Sequence, residues 1–275
     1  MYAGSRCARR RLLRRLFGSL CLAARNGWAG SEIYLGRLDR DLRPVGEPWR
    51  LDLYHAREAN YGREDPRLFM YGGRVHVSYI GVVGGHTILH TSQLYARLDR
   101  DLRVERIWTP NVPERKAWEK NWAFFDAGDG LRAVYTIAPD RVVGIDGDRA
   151  LTLHNEPGPP WSGGEPRGGA PPVRVGDEFW HFFHDRIQGQ RALVYRTGLY
   201  AFDARPPYRP LRVIPEPIMV ADEASRPGDQ YAAVMFTCGA VRAGQWWILS
   251  SGIHDRWMAL DRFRHEDLER KLVAI

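Results

Sequence analysis

Four short stretches gather most of the side chains in this 275-residue chain that could do chemistry together. They are Arg63-Glu64-Asp65-Pro66-Arg67, Glu119-Lys120-Asn121-Trp122, Glu165-Pro166-Arg167-Gly168-Gly169 and Gly252-Ile253-His254-Asp255-Arg256. Brought to one place, they would supply carboxyls to give or take a proton, cations to hold a phosphate or fix hydroxyls, and an indole face for a pyranose. Asp65 is the candidate general acid. The neighbouring Glu64 raises its pKa in a confined site and Arg63 and Arg67 lower it, so the balance depends on its surroundings. The plainer reading of Asp65 is a turn-capping residue ahead of Pro66. Lys120 stands out because only three of 40 cationic residues are lysines, the others being Lys116 and Lys271; its plainer role is a surface ion pair with Glu119. Trp122 and Phe124 suit a core as well as a sugar platform, His184 taken alone reads as a core histidine, and Tyr231 and His254 are weaker candidates.

These residues need a scaffold that joins distant parts of the chain. Arg37-Leu-Asp-Arg-Asp-Leu-Arg43 recurs as Arg97-Leu-Asp-Arg-Asp-Leu-Arg103, with fainter echoes over 199–213 and 259–268. The segments 74–80, 131–137, 178–184 and 245–252 are β-rich, and each follows a Gly- or Asp-containing turn. A repeating unit of several short strands is the pattern of a propeller blade. The expectation is an all-β chain forming a single five-bladed β-propeller with a central axial site. A basic arm occupies residues 1–16, and the blades cover about 17–60, 61–116, 117–165, 166–224 and 225–275. In such a ring the innermost strands surround the axis, so clusters some 50 positions apart converge. The Pro/Gly stretch 156–172 becomes a long inter-blade loop, with a two-domain split there as the alternative.

Composition removes several function classes. Of 40 Lys and Arg, seven arginines fall in residues 1–31, where there is no acid, leaving 33 bases against 33 acids in the body. A neutral body lacks the broad basic face of a nucleic-acid binder. Cys7, Cys21 and Cys238 make no disulfide framework, and no CxxC or HExxH spacing offers a metal site. His181 and His184 stand three apart on a strand and point to opposite faces. No apolar run reaches the roughly 18 to 20 residues of a membrane span. The expected location is cytoplasmic, with export the alternative if residues 1–24 act as a targeting segment.

At the four clusters the chain resembles glycoside hydrolase family 130, the five-bladed β-mannoside phosphorylases and hydrolases, and mannosyl-transferring proteins of the same fold. The matching pieces are EDPRLF (64–69), EKNWAFF (119–125), RGGAPP (167–172) with WHFFHD (180–185), and FTCGAV (236–241) with SSGIHD (250–255). They occur in the family's order, about one per blade, over residues 20 to 270. The resemblance implies that Asp65 is the general acid, passing its proton to the glycosidic oxygen through a hydroxyl of the bound mannosyl unit. Lys120 and Arg167 match basic positions of the phosphorylases, and His184 matches the family's histidine. Arg63, Glu64, Arg67, Asn121, Trp122 and Asp255 complete the expected substrate- or phosphate-binding set. The chain departs from the pattern after Thr136, where Ile137-Ala-Pro-Asp140 replaces a His-Arg-Pro continuation and Arg141 is displaced. One phosphate-binding arginine is then missing.

The leading expectation is an enzyme that cleaves or transfers a glycosyl unit, a β-mannoside above all, by phosphorolysis, hydrolysis or transfer. Phosphorolysis needs cations to aim the phosphate. Hydrolysis needs a base, for which Glu119, Asp185 and Asp255 are the candidates. Transfer would place Lys120 and Arg167 on a donor's phosphate. No cofactor or metal is expected, inorganic phosphate or a sugar phosphate being the co-substrate to test. The partner is an oligosaccharide or glycoside, with oligomeric state open. A non-catalytic sugar-binding propeller and a protein-interaction propeller are the competing readings.

Overall fold

The computed structural model describes residues 21–25, 31–84, 87–228 and 230–275, with only the backbone of the first five. The basic arm expected at 1–16 lies outside the described residues. Strands β1 (Cys21–Arg25), β2 (Glu32–Leu38) and β3 (Pro44–Arg50) form one sheet in chain order. Strands β4 (Gly62–Tyr71), β5 (Arg74–Gly84), β6 (Ile88–Leu98) and β7 (Val104–Trp108) form the next. The third contains β8 (Ala123–Asp126), β9 (Leu131–Ile137), β10 (Asp140–Asp146) and β11 (Arg149–Glu156). The fourth is built from β12 (Val173–Val175), β13 (Glu178–Gln188), β14 (Leu193–Asp203) and β15 (Pro210–Val213). Short strands β16 (Met219–Val220) and β17 (Ala232–Ala233) add to β14. The last sheet is β18 (Met235–Ala243), β19 (Trp246–Ile253) and β20 (Trp257–Arg264). Helix α1 (His265–Glu269) follows, and β21 (Val273–Ala274) returns to pair with β15. The protein is thus all-β, and its sheets are blade-like meanders of consecutive strands. Two compact units divide the chain, Met1–Ala133 with Val143–Thr152, and Val134–Val142 with Leu153–Ile275.

Burial follows position within a sheet. Residues 75–83 of β5 are all buried, His76 and Ser78 included, although the alternation of 74–80 suggests a strand with one wet face. A central strand of a blade-like sheet is covered on both faces, so polar residues there must find partners inside. His76 does so by stacking on Phe69, with ring centroids 5.2 Å apart, and by its contact with the Arg74 carbonyl. The outer strand β3 is mostly exposed. In the first unit the core runs through Phe69, Phe124, Tyr95 and Trp108, with successive centroids 5.3, 5.4 and 4.9 Å apart. In the second, Trp180 stacks on Trp247 at 5.3 Å within a cluster that includes Phe182, Leu199, Leu268 and Leu272.

The sequence repeat is a turn repeat. Asp39 Oδ1 accepts the amides of Asp41 and Arg43 at 2.9 and 2.8 Å, and Asp99 Oδ1 does the same for Asp101 and Arg103. In both copies the leucine adopts a positive φ, 64° at Leu42 and 62° at Leu102. Each turn joins the last two strands of its sheet. The echo at 199–213 is the same device lengthened by Pro206-Pro207. Asp203 takes the Arg205 amide at 2.9 Å, and Tyr208 holds φ 61°. The echo at 259–268 is different: those residues form β20 and α1. Among the described residues no helix is long and apolar enough to cross a membrane.

Candidate active site

Asp65 sits on a bulge in the first strand of the second sheet. In the β4–β5 pairing Glu64 opposes Ile80 and Arg67 opposes Ser78, so Asp65 and Pro66 together face one residue. Pro66 has no amide hydrogen to give to the ladder, which favours a bulge there, and bulges re-aim side chains. Asp65 is held at φ 48°, a sparsely populated conformation that costs on the order of 1 kcal/mol or more. Its carboxyl lies deep among protein atoms while the residue keeps partial access to solvent. Burial raises its pKa above the ordinary carboxylate value, against the opposing pull of Arg67 and Lys120, and the net shift is upward. The raising influence expected from Glu64 is therefore supplied by burial. On the flank, the Arg63 amide donates to Ser31 Oγ at 3.0 Å, and Ser31 Oγ donates to Glu64 Oε1 at 3.5 Å.

Arg67 is 2% exposed and directs its guanidinium at the segment that carries Lys120. Nη1 donates to the Trp122 carbonyl at 2.9 Å and Nη2 to Asn121 Oδ1 at 3.0 Å. Asn121 is buried and also has a positive φ, 67°. Trp122 is 1% exposed: its indole Nε1 donates to Glu119 Oε2 at 3.0 Å, and its amide to Gln93 Oε1 at 3.2 Å. The indole expected as a sugar platform is a core residue, as is Phe124. Glu119 is buried and also accepts the Lys116 amide at 2.7 Å, so its carboxylate bridges the two ends of a tight hook. Lys120 is exposed and close enough to Asp65 for its charge to act on that carboxyl. The first unit thus brings Asp65, Arg67, Lys120 and Asn121 together, with Arg63 and Glu64 alongside.

In the second unit Arg167 and His184 are backbone partners, with N–H···O distances of 2.8 and 3.0 Å. The Arg167 side chain pairs with Glu165 at 2.6 Å. The His184 ring is buried, parallel to Tyr195 at 5.8 Å and edge-on to Phe236 at 4.8 Å. His181, three residues away, touches Tyr200 Oη at 3.3 Å, and Tyr200 donates to Asp140 at 2.8 Å. The two histidines therefore serve different surroundings. Asp140 occupies the departure from the family pattern and is fully enclosed; burial raises its pKa to about 7.

Asp185 was a candidate base, and the structure saturates it. Its carboxylate accepts Arg196 Nε at 2.9 Å, Arg196 Nη2, Trp161 Nε1 at 2.7 Å and the Gly164 amide at 2.7 Å. The loop carrying Glu165 and Arg167 is thereby tied down. Trp161 also lies edge-on to Phe183 at 4.8 Å, under the Arg196 guanidinium. Asp255 is exposed, and both it and His254 have φ 51°. His254 Nδ1 accepts the Val234 amide at 3.1 Å, so Nε2 carries the proton and donates to Ser225 Oγ at 3.0 Å. That polarity is the reverse of a serine nucleophile and its base. Tyr231 is 73% exposed. FTCGAV holds a second bulge, with Cys238 the extra residue, and Thr237 Oγ1 lies 2.9 Å from Thr197 Oγ1 and 3.0 Å from Ser251 Oγ. Sequence reasoning passed over Trp161 and Arg196 because their role depends on a shared acceptor 24 and 11 positions away.

No protein-family model matches the chain, and no curated protein matches it. Solved structures do. A structure described as showing that the GH130 family of mannoside phosphorylases contains hydrolases targeting β-1,2-mannosidic linkages in Candida mannan superposes with a TM-score of 0.68. It is 13% identical, and the match covers 94% of this chain and 84% of that one. A β-1,2-mannobiose phosphorylase from Listeria innocua gives 0.63 at 17% identity, over 88% of this chain and 69% of that one. An exo-1,5-α-L-arabinanase from a bovine ruminal metagenomic library gives 0.51 at 11% identity, over 92% and 97%. The fold is that of propeller glycosidases, including members of family 130.

Proposed function

We propose that this protein is a carbohydrate-active enzyme that cleaves or transfers a glycosyl unit of a β-mannoside or similar glycoside, with Asp65 as the general acid. The observation that carries the reading is the Asp65 carboxyl, carried on a strained bulge beside Lys120 with its pKa raised by burial. A general acid must hold its proton near the working pH and release it as charge develops on the leaving oxygen. The five sheets are read as the five blades of a propeller. Structures of similar fold described as mannoside phosphorylases and hydrolases support the substrate class.

Phosphate-dependent chemistry is favoured over hydrolysis by the state of the candidate bases. Asp185 has four donors on it, and Glu119 is committed to the Lys116 amide and the Trp122 indole. Using either to activate water would undo local structure. An anionic nucleophile or a phosphorylated donor needs no such base, only cations, and the residues matched to the family's basic positions are Lys120 in the first unit and Arg167 in the second. Hydrolysis is the second reading, carried by the exposed Asp255.

The test is a screen of β-mannosides and mannose 1-phosphate with and without inorganic phosphate, following sugar phosphate, free sugar and elongated product. Sugar phosphate formed only with phosphate present supports phosphorolysis, whereas free sugar formed regardless supports hydrolysis. Asp65→Asn is expected to bind sugar and lose about 10²- to 10⁴-fold in turnover. Unchanged turnover in that variant overturns the assignment of the acid.

A further inference from the structure

A groove of ≈ 450 Å³ lies between the outer strands of the first two sheets, and we propose that it binds a saccharide bearing an oxyanion, a uronate carboxylate or a phosphate monoester. Arg50, Asp52 and Tyr54 line it from the end of β3 and the segment that follows. Arg103, Glu105 and Arg106 line it from the turn before β7 and from β7 itself. All six belong to the first unit. In the second sheet β5 and β6 stand between β7 and the strand that carries Asp65, so the groove is a second site. Only the sugar part of its ligand rests on the proposed function. The volume falls in the range of small-ligand sites, about 300 to 1,000 Å³.

The repeated turn motif builds part of this wall. Its second copy ends in Arg103, whose guanidinium lies over the Trp49 ring at 6.0 Å, while Arg37 of the first copy lies 5.6 Å from the same ring. The Trp49 indole N–H donates to the Leu102 carbonyl at 3.3 Å, so the platform under Arg103 is tied to both sheets. Arg106 lies over Trp108 at 5.0 Å. Both arginines are exposed, and among the described residues neither is in an ion pair. The other charges are spoken for: Glu105 is held by Arg74 and Arg97 at 2.8 and 3.0 Å, and Arg50 by Glu32 at 2.8 Å. Two unpaired guanidiniums thus face one remaining carboxylate, Asp52. A guanidinium laid on an indole keeps its edge N–H groups free to meet a carboxylate or phosphate in a two-pronged contact. Tyr54, 55% exposed in the same groove, offers an apolar ring face to a sugar. The neutral body around the groove gives no track for a long polyanion, so a short anionic saccharide is the ligand that fits.

The experiment titrates the full chain by calorimetry with trigalacturonate, mannose 6-phosphate, inorganic phosphate and neutral β-1,4-mannotriose. The first two separate a carboxylate from a phosphate as the group recognised. The double variant Arg103→Gln, Arg106→Gln is expected to weaken the anionic saccharide about tenfold or more and to leave mannotriose unchanged. Tyr54→Ala, at an exposed position, is expected to weaken the same ligand severalfold, and Lys120→Ala to leave it unchanged. Melting curves establish that the variants are folded. Binding that survives the double variant and is lost with Lys120 puts the anion at the candidate active site and overturns the groove, as does failure of both anionic saccharides to bind. Inorganic phosphate bound as tightly as mannose 6-phosphate, with the same need for the two arginines, overturns the sugar as ligand. Groove-dependent binding by a protein with no turnover on any glycoside overturns the proposed function and leaves the groove standing.

Discussion

Four residues of the matching clusters, Asp65, Asn121, His254 and Asp255, have positive φ. Asp, Asn and His are the side chains that tolerate this region best, and strain of this kind concentrates where a side chain must be aimed. At Asp65 the cost is electrostatic as well. Its folded-state pKa is raised, so the folded protein binds this proton more tightly than the unfolded chain does. The contribution favours folding below the ordinary value of 3.8 and is lost as pH rises through the raised one. Asp65→Asn is therefore expected to melt above the parent at neutral pH, with the gap closing on acidification, as read by calorimetric scans across pH. A gap that widens in acid would contradict burial as the dominant cause. Asp65 and Lys120 were legible in the sequence from an EDPR cluster and a scarce residue type. Trp122 read equally as platform or core, and what places it inside is a contact of its indole with Glu119 that the sequence alone does not reveal.

Hairpins and loops were unevenly legible for a related reason. The repeated Asp39 and Asp99 turns were visible because each motif contains its own hydrogen-bond acceptor and the amides that use it. Asp99→Ala removes two such bonds at an exposed turn and is expected to cost about 1 kcal/mol, measured by urea denaturation. The loop before Arg167 was read only as a Pro/Gly-rich connection, since its anchor, Asp185, lies on another strand. Two of its glycines are positions of close approach: a Cβ at Gly163 would meet Arg196 and Asp185, and one at Gly164 would meet the Arg186 carbonyl. Gly164→Ala is expected to release the loop, with increased protease cleavage between 157 and 166 and a loss of the order of 2 kcal/mol. Intact protection would show that the loop is held some other way.

At the scale of the whole molecule, enclosed polar groups tie stability to pH. Asp140, bonded to Tyr200 and near Glu156, has its pKa raised to about 7 by burial. This group stabilises the fold in acid and loses its contribution as pH rises from about 4 through 7, a change on the order of 4 kcal/mol. Asp140→Asn, which keeps an acceptor for the Tyr200 hydroxyl, is expected to flatten that slope; an unchanged pH dependence of denaturation would assign it to other groups. The blade-like sheets were legible from strand periodicity, but the route of the chain at its end was not. The fourth sheet begins at β12, and its outer strand β15 gains its partner β21 only after the fifth sheet has been made. During synthesis that border stays open for about sixty residues, some 3 to 12 seconds at ordinary elongation speeds. The short strand β21 thus acts as a latch on a structure begun long before the ribosome reaches it.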